Sequence, residues 1–397
     1  MEQVFFPEVV WFQEGPGVRN TQYTDSGVKL LNVANLVDGR VDLSNTDRYI
    51  SEEEAYGKYK HFLVNDGDFI IASSGIKVEY FDKKMGFVSG AQLPLCMNTS
   101  TIRFKVLDKN ILDIRYFMYF LKTDQFKQQL SREITGSAQL NFGPSHLKKM
   151  HLPLIDLTEQ HRIVAVLDKV SDLIAKRRQQ LDKLDEMVKA RFVEMFGDFV
   201  YERDRWSICK VGDVADTVDP QPSHRTPPIS ADGIPYIGIA ECNYKTRLID
   251  FEKARKVGQN VLQEHLERYT LDEGDFIIGK IGTIGKPFFV PTGQTYTLSA
   301  NTVLIKPYKK RVTPHFLFAV FQSEYMDRII DAEKKSTSQP AFGIQKVRKI
   351  DIPIPPLELQ NQFAAFVEQT EKTKTAVSKS LEKLETLKKA LMQEYFG

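Results

Sequence analysis

NFGPSHLKKMHLPLIDLTEQHRIVAVLDK (141–169) and AFGIQKVRKIDIPIPPLELQNQFAAFVEQ (341–369) are one passage written twice, 200 residues apart. Phe142 and Gly143 return as Phe342 and Gly343, Pro153 as Pro353, Leu157 as Leu357, and Gln160 as Gln360. MFG at 195–197 returns as YFG at 395–397. Solenoid units repeat every ~20–50 residues. A period of 200 is therefore that of a whole domain plus a connector. A chain of two similar halves suits a target that itself has two similar halves.

The connectors are long helices. Stepping alternately four and three residues from Ile163 gives Ile163, Leu167, Val170, Ile174, Arg177, Leu181, Leu184, Val188, Arg191 and Met195. Eight of these ten are apolar, the signature of a coiled-coil seam. The same register 200 residues on reads Phe363, Val367, Thr370, Lys374, Val377, Leu381, Leu384, Lys388, Leu391 and Tyr395. Two matched seams in one chain most simply pair with each other. Asp156 with Glu159 resembles a capping box, Pro355 and Pro356 mark the second helix start, and Gly197 ends the first helix. Some 40 residues at ~1.5 Å rise make a rod of about 60 Å. If a two-fold relates the halves, the helices run antiparallel and the domains sit at opposite ends, as in a ruler. A structural tether is the other reading of such a helix pair.

Each helix follows a strand-rich globular part. VKLLNVANL (28–36), DFIIAS (68–73) and STIRFKV (100–106) are short, β-branched or aromatic, and separated by turn residues. GIPYIGIAE (233–241), DFIIGK (275–280) and NTVLIKP (301–307) repeat that order. One helical stretch is expected in each half, at 113–130 and 313–330. GDFII at 67–71 recurs at 274–278, a shift of 207 instead of 200, so the halves share a core and differ in their loops. Loops on a fixed scaffold carry specificity. The expected fold class is α+β, with two pseudo-twofold-related mixed α/β domains separated by a long antiparallel two-helix coiled coil. The expected boundaries are 1–155 for the first domain, 156–197 for the central helix, 198–355 for the second domain and 356–397 for the C-terminal helix.

Composition narrows the class. Hydrophobic residues are 42% and charged residues 27%, an ordinary soluble balance. No apolar run reaches the roughly 18–20 residues that span a membrane. MEQVFFPEVVWFQEG lacks the basic start and apolar core of a signal peptide. Cys96, Cys209 and Cys242 are few and widely spaced, which points to reduced thiols and a cytoplasmic location. The net charge of +2 permits nucleic-acid binding only where basic residues gather on one face.

Catalytic motifs are wanting. GKIGTIGK (279–286) is not a phosphate loop, because Lys280 stands where the first Gly belongs and Pro287 where Ser or Thr belongs. GxGxxG, GxSxG and HExxH are absent. The seven His are dispersed, and no ligand set for a metal is expected. A duplicated catalytic centre would leave a trace in both halves, and none is visible. The reading is a non-catalytic binding protein.

Its candidate contacts are basic and amide side chains beside aromatics on loops, which suit phosphates and base edges. In the second half these are His224 and Arg225 in DPQPSHRTPPIS (219–230), Lys245 and Arg247 near Tyr244, and Lys280, Thr283 and Lys286 around the glycine turn. In the first half they are Arg19, Lys77, Lys83, Lys84 and Arg103. Gln139, Asn141 and Gln339 precede the helix entry, with a hydrogen-bonded turn as their competing role.

In this order and duplicated, the motifs resemble the DNA-specificity subunit of type I restriction–modification systems. GDFIIGKIGTIGK (274–286) is similar to that family's GD-hydrophobic strand and G-T-x-G-K turn. GSAQLNFGPSHLKKMHLPLIDLTEQ (136–160) and STSQPAFGIQKVRKIDIPIPPLELQ (336–360) resemble its helix entry. MFGD (195–198), Trp206 and VGDVAD (211–216) resemble the junction into its second domain, and WFQEGPGVRN (11–20) an opening that some members share. The first domain departs from the pattern: it lacks a Trp…GDVA start, has Ser74–Gly75 in place of GTIG, and LIDLTEQ loses the double Pro.

The resemblance implies two target-recognition domains, each reading half of a bipartite site in double-stranded DNA, with the helices setting the spacing. It implies two methyltransferase (M) subunits docked on the helices and motor-nuclease (R) subunits beyond them. S-adenosylmethionine, ATP and Mg belong to those partners and no cofactor to this chain. The assembly would be a type I site-specific deoxyribonuclease and adenine-specific DNA methyltransferase. Arg177, Arg191, Lys374 and Lys388 would be awkward in a closed two-helix core and are expected to face partner helices. The alternative is a non-catalytic coiled-coil scaffold whose domains bind proteins instead of DNA.

Overall fold

The computed structural model describes residues 2–45, 47–134, 140–223, 225–244, 246–335 and 342–397. The chain divides into two compact units, Met1–Lys176 with Leu381–Gly397, and Arg177–Ser380. Each unit holds one mixed domain and stretches of both long helices.

In the first unit, strand Glu2–Phe5 pairs antiparallel with His151–Leu154, so the domain's first and last strands lie side by side. An antiparallel sheet follows in the order Val10–Glu14, Thr101–Val106, Phe69–Ala72, Met85–Phe87. Its central strands are buried and β-branched or aromatic, and they pack on helices Ile114–Leu121 and Asp124–Glu133. Phe6 lies edge-on to Phe117 at 4.9 Å and Phe104 packs on Phe117 at 5.0 Å, making an aromatic centre. A smaller sheet orders Leu95–Met97, Val28–Leu31 and Tyr49–Ile50.

The second unit repeats this plan. Ser207–Lys210 pairs antiparallel with Asp351–Ile354. The sheet runs Ala215–Val218, Thr302–Pro307, Phe276–Gly279, Pro287–Phe289. The smaller sheet runs Arg255–Val257, Ile229–Ile237, Thr297–Leu298. The aspartate of the GD motif has the same duty in both domains. Asp68 accepts from Asn65 N (2.9 Å) and pairs with Arg103 (3.0 Å) and Lys105 (3.4 Å). Asp275 accepts from Asp272 N (2.9 Å) and pairs with Lys306.

Several expectations are corrected. The helical stretch at 113–130 is two helices, broken where Thr123 caps the second by accepting from Phe126 N (3.2 Å). The stretch at 313–330 is likewise Pro314–Phe321 and Glu324–Lys335. The strand expected over 28–36 stops at Leu31, because Asn35 Oδ1 accepts from Asn32 N (2.9 Å) and winds a tight turn. The first domain does have a counterpart of the VGDV start. Phe6–Val9 forms the same short helix as Val211–Val214, with Glu8 accepting from Phe5 N (3.0 Å) as Asp213 accepts from Lys210 N (3.0 Å).

The long helices run Leu157–Phe196 and Leu357–Phe396, 40 residues each. Asp156 Oδ1 accepts from Glu159 N at 3.1 Å, an N-cap contact. Gly197 closes the first helix with φ +86°, a conformation that glycine adopts at little steric cost. Gln160 and Gln360 are fully buried at the helix starts. Gln160 accepts from Asp113 N (2.9 Å) and donates to Ile111 O and Ile155 O (both 2.8 Å). Gln360 accepts from Thr313 N (2.9 Å) and donates to Pro355 O (2.8 Å).

In the first unit, Ile163 and Leu167 pack in one cluster with Leu391, Met392, Tyr395 and Phe396. In the second, Phe363 and Val367 pack with Val188, Phe192 and Phe196. Pairing is antiparallel there: Asp185 meets Lys374, while Arg191 lies 5.8 Å above the ring of Phe366. Val170, Ile174, Thr370 and Val377 are buried; Leu181, Leu184, Leu381, Leu384 and Met195 are half-buried. The charged seam residues find partners within the chain. Lys374 is 6% exposed and donates to Asp185 and to Glu371 (3.1 Å), which corrects the expectation that it faces a partner helix. Arg177 donates to Gln180 (2.8 Å) and Arg191 to Glu194 (2.8 Å). Lys388 is half-buried and near enough to Lys122 to help lower its ammonium, which burial chiefly brings down to about 8.

Candidate nucleic-acid interface

In each domain the chain leaves the central strand, makes a loop, and returns as the edge strand beside it. In the second domain that loop is 280–286, between Phe276–Gly279 and Pro287–Phe289. Glycine is required at its base, because a Cβ on Gly279 would stand 1.9 Å from Thr283 O. Gly285 combines φ +78° with a side-chain space already filled by Ile330. The loop therefore folds tightly and leaves Ile281, Thr283 and Lys286 exposed at its surface.

Lys280 is different: it is 6% exposed and its ammonium meets Asp219 at 2.8 Å. This ion pair ties the start of the 219–230 loop to the strand. A second tie is the buried imidazole of His265, whose Nε2 donates to Gln221 Oε1 (2.6 Å) and whose Nδ1 faces Thr297 Oγ1. Burial depresses the His265 pKa, which favours this neutral form. Arg225, beyond both ties, is exposed.

The hairpin Cys242–Asn243 with Leu248–Ile249 borders the same loop. Tyr244 donates from its hydroxyl to Lys286 O (3.2 Å) and sets its ring edge-on to Phe288 at 5.5 Å. Burial pushes its phenol up to about 12, so the donor keeps its proton. Arg247 turns its guanidinium to Asp185 (2.7 Å) and Glu371 on the helices.

The first domain's corresponding loop is longer and built differently. Strand Ser74–Ile76 pairs with Leu140–Asn141, with Asn141 opposite Ser74, and a tight helical turn spans Val78–Lys83. Asn141, Lys77 and Lys83 are exposed along this loop and its partner strand. Lys83 stands 5.6 Å over the ring of Tyr80, itself 50% exposed. Lys84 is half-buried and donates to Val33 O (3.5 Å). Arg19 is exposed and follows Val18, which is buried in a small cluster with Val28 and Tyr59.

Arg103 is corrected from surface contact to structural residue. It is 4% exposed, holds Asp68 and Gln13 (2.7 Å), and lies under Trp11. Gln139, His224, Lys245 and Gln339 lie outside the described residues. The sequence reading missed Tyr80 and Ile281; the only available signal was an apolar or aromatic residue set among lysines and glycines on a turn. Among the described residues no three His, Cys, Asp or Glu side chains gather as a cation's ligand set. Nor, among them, is any helix long and apolar enough to cross a membrane.

A family model described as the type I restriction modification DNA specificity domain matches the chain twice, over residues 22–185 and 203–388. The type I restriction enzyme MjaVIII specificity subunit of Methanocaldococcus jannaschii is 24% identical over 192 residues, which are 47% of this chain and 43% of that protein. The putative type I restriction enzyme MjaX specificity subunit of the same organism is 21% identical over 391 residues, 92% of this chain and 85% of that protein. The solved type I restriction–modification S subunit from M. genitalium is alike in fold, with a TM-score of 0.56 over 100% of this chain and 96% of that one, at 15% identity.

Proposed function

Since this chain belongs to the type I restriction modification DNA specificity family, we propose that its two domains each read one half of a bipartite site in double-stranded DNA. The observation that carries this is the same sheet in both domains bearing different side chains on the corresponding loop. One loop offers Lys77, Tyr80 and Lys83, the other Ile281, Thr283 and Lys286. Lysines at such positions meet phosphates; Tyr80, Asn141, Ile281 and Thr283 suit base edges and the thymine methyl. Lys280, which is buried, and Arg247, which is exposed but engaged with the helix carboxylates, shape the loop they border.

The chain bridges two methyltransferase subunits, to which motor-nuclease subunits add, in the cytoplasm. S-adenosylmethionine, ATP and Mg are held by those partners, and this chain performs no chemistry itself.

The test is DNA binding by the chain assembled with its methyltransferase subunits. Lys83→Ala and Lys286→Ala should each weaken binding about equally on all sequences. Each should also make the plot of log affinity against log salt shallower by about one. Unchanged affinity and slope in both variants remove these loops from the DNA. Absence of any salt-dependent DNA affinity in the intact assembly would favour a scaffold that binds proteins.

A further inference from the structure

Arg247 has φ +57°, a left-handed conformation that glycine ordinarily fills. A residue with a side chain persists there where its surroundings fix it. The turn is held by Arg247 N donating to Asn243 O (2.7 Å) and Thr246 N donating to Asn243 Oδ1 (3.1 Å). The guanidinium reaches Asp185 on the first long helix and Glu371 on the second. Lys374, almost fully buried, joins the same two carboxylates. Two cations and two carboxylates thus form one neutral cluster that ties the hairpin to both helices.

In sequence the first half keeps a carboxylate, Glu385, at the position of Asp185, but neither Lys374 nor Glu371. Ile174, buried and apolar, stands at the position of Lys374, and Ser171 at that of Glu371. The first hairpin, Leu36–Val37 with Arg40–Val41, turns over two residues, Asp38 and Gly39, whereas four residues separate Asn243 from Leu248 in the second. Gly39 N instead donates to Lys83 O (3.1 Å).

We propose that Arg247 is a positioning residue, a strut that fixes the 280–286 loop of the second domain to the helix pair. The link passes from the helix carboxylates through Arg247 to the hairpin, then through Tyr244 to the Lys286 carbonyl and Phe288. The strut is a property of the folded chain, and only its consequence for DNA rests on the function proposed above.

Hydrogen exchange on the free, full-length chain tests it. Arg247→Met should exchange about three- to fivefold faster at both 242–249 and 280–289, the scale of a partly exposed ion-pair network. Strand Thr302–Pro307 should be unaffected, and Arg247→Lys, which keeps the charge, should restore much of the protection. Faster exchange confined to 242–249 overturns the coupling to the loop, and unchanged exchange overturns the strut. In the assembled complex, Arg247→Met should lower affinity for specific DNA with the salt slope kept. A slope shallower by about one would make Arg247 a phosphate contact and overturn the proposal. If exchange responds and DNA affinity does not, the strut stands and the assignment of 280–286 to DNA fails.

Discussion

Gln160 and Gln360 recur 200 positions apart because a buried amide both donates and accepts, and the helix entry needs both. Leucine has the size but neither function. In Gln160→Leu the N–H of Asp113 and the carbonyls of Ile111 and Ile155 lose their partner; each such group costs ~1–3 kcal/mol when left buried. Hydrogen exchange should therefore quicken across the first domain in Gln160→Leu and across the second in Gln360→Leu. Equal exchange in variant and parent would show that water replaces the amide. The same logic explains Asp68 and Asp275, which seal a turn and balance a cation, the buried Arg103 and the half-buried Lys306. Residues that return most faithfully thus maintain the scaffold, while those proposed to read DNA sit where the repeat fails.

Among the elements, the helix seams were the most legible part of the sequence, because a heptad pattern over 40 residues averages out single exceptions. None of the twenty seam positions is exposed. What escaped was local. Thr123 caps the helix that follows it and the Ser323 hydroxyl donates back to Val320 O, and nothing in an apolar-rich window distinguishes such a hydroxyl from a surface one. FPEV and VGDV make the same turn while sharing little beyond an acidic residue and a final Val. Lys374 looked like a seam defect because its carboxylates come from another helix and from one turn earlier on its own. The site was legible as a choice of loops, not of side chains: periodicity cannot tell a buried Lys280 or Arg103 from an exposed Lys286. If the helices set the distance between half-sites, four residues inserted near Lys183 shift one helix by about 6 Å and rotate it by about 40°. Methylome sequencing should then show a changed spacer or lost methylation; the original spacer with full methylation would argue against a ruler.

For the whole molecule, each domain is expected to act as an independent reader. Replacing 198–355 with the corresponding domain of another family member should change one half of the methylated sequence and leave the other half as it was. Change in both halves, or in neither, would sink the modular reading. The pairing of Glu2–Phe5 with His151–Leu154, and of Ser207–Lys210 with Asp351–Ile354, has a further consequence. Each domain begins and ends on one hydrogen-bonded ribbon, so its entry and exit are adjacent. Chains whose ends meet in this way tolerate circular permutation and insertion into other chains. The repeated passages at 141–169 and 341–369 lie across the exit of each ribbon. A domain exchanged at these points would disturb little beyond a single pair of strands. New specificities could then arise by exchange of genetic segments, without a separate round of selection for stability.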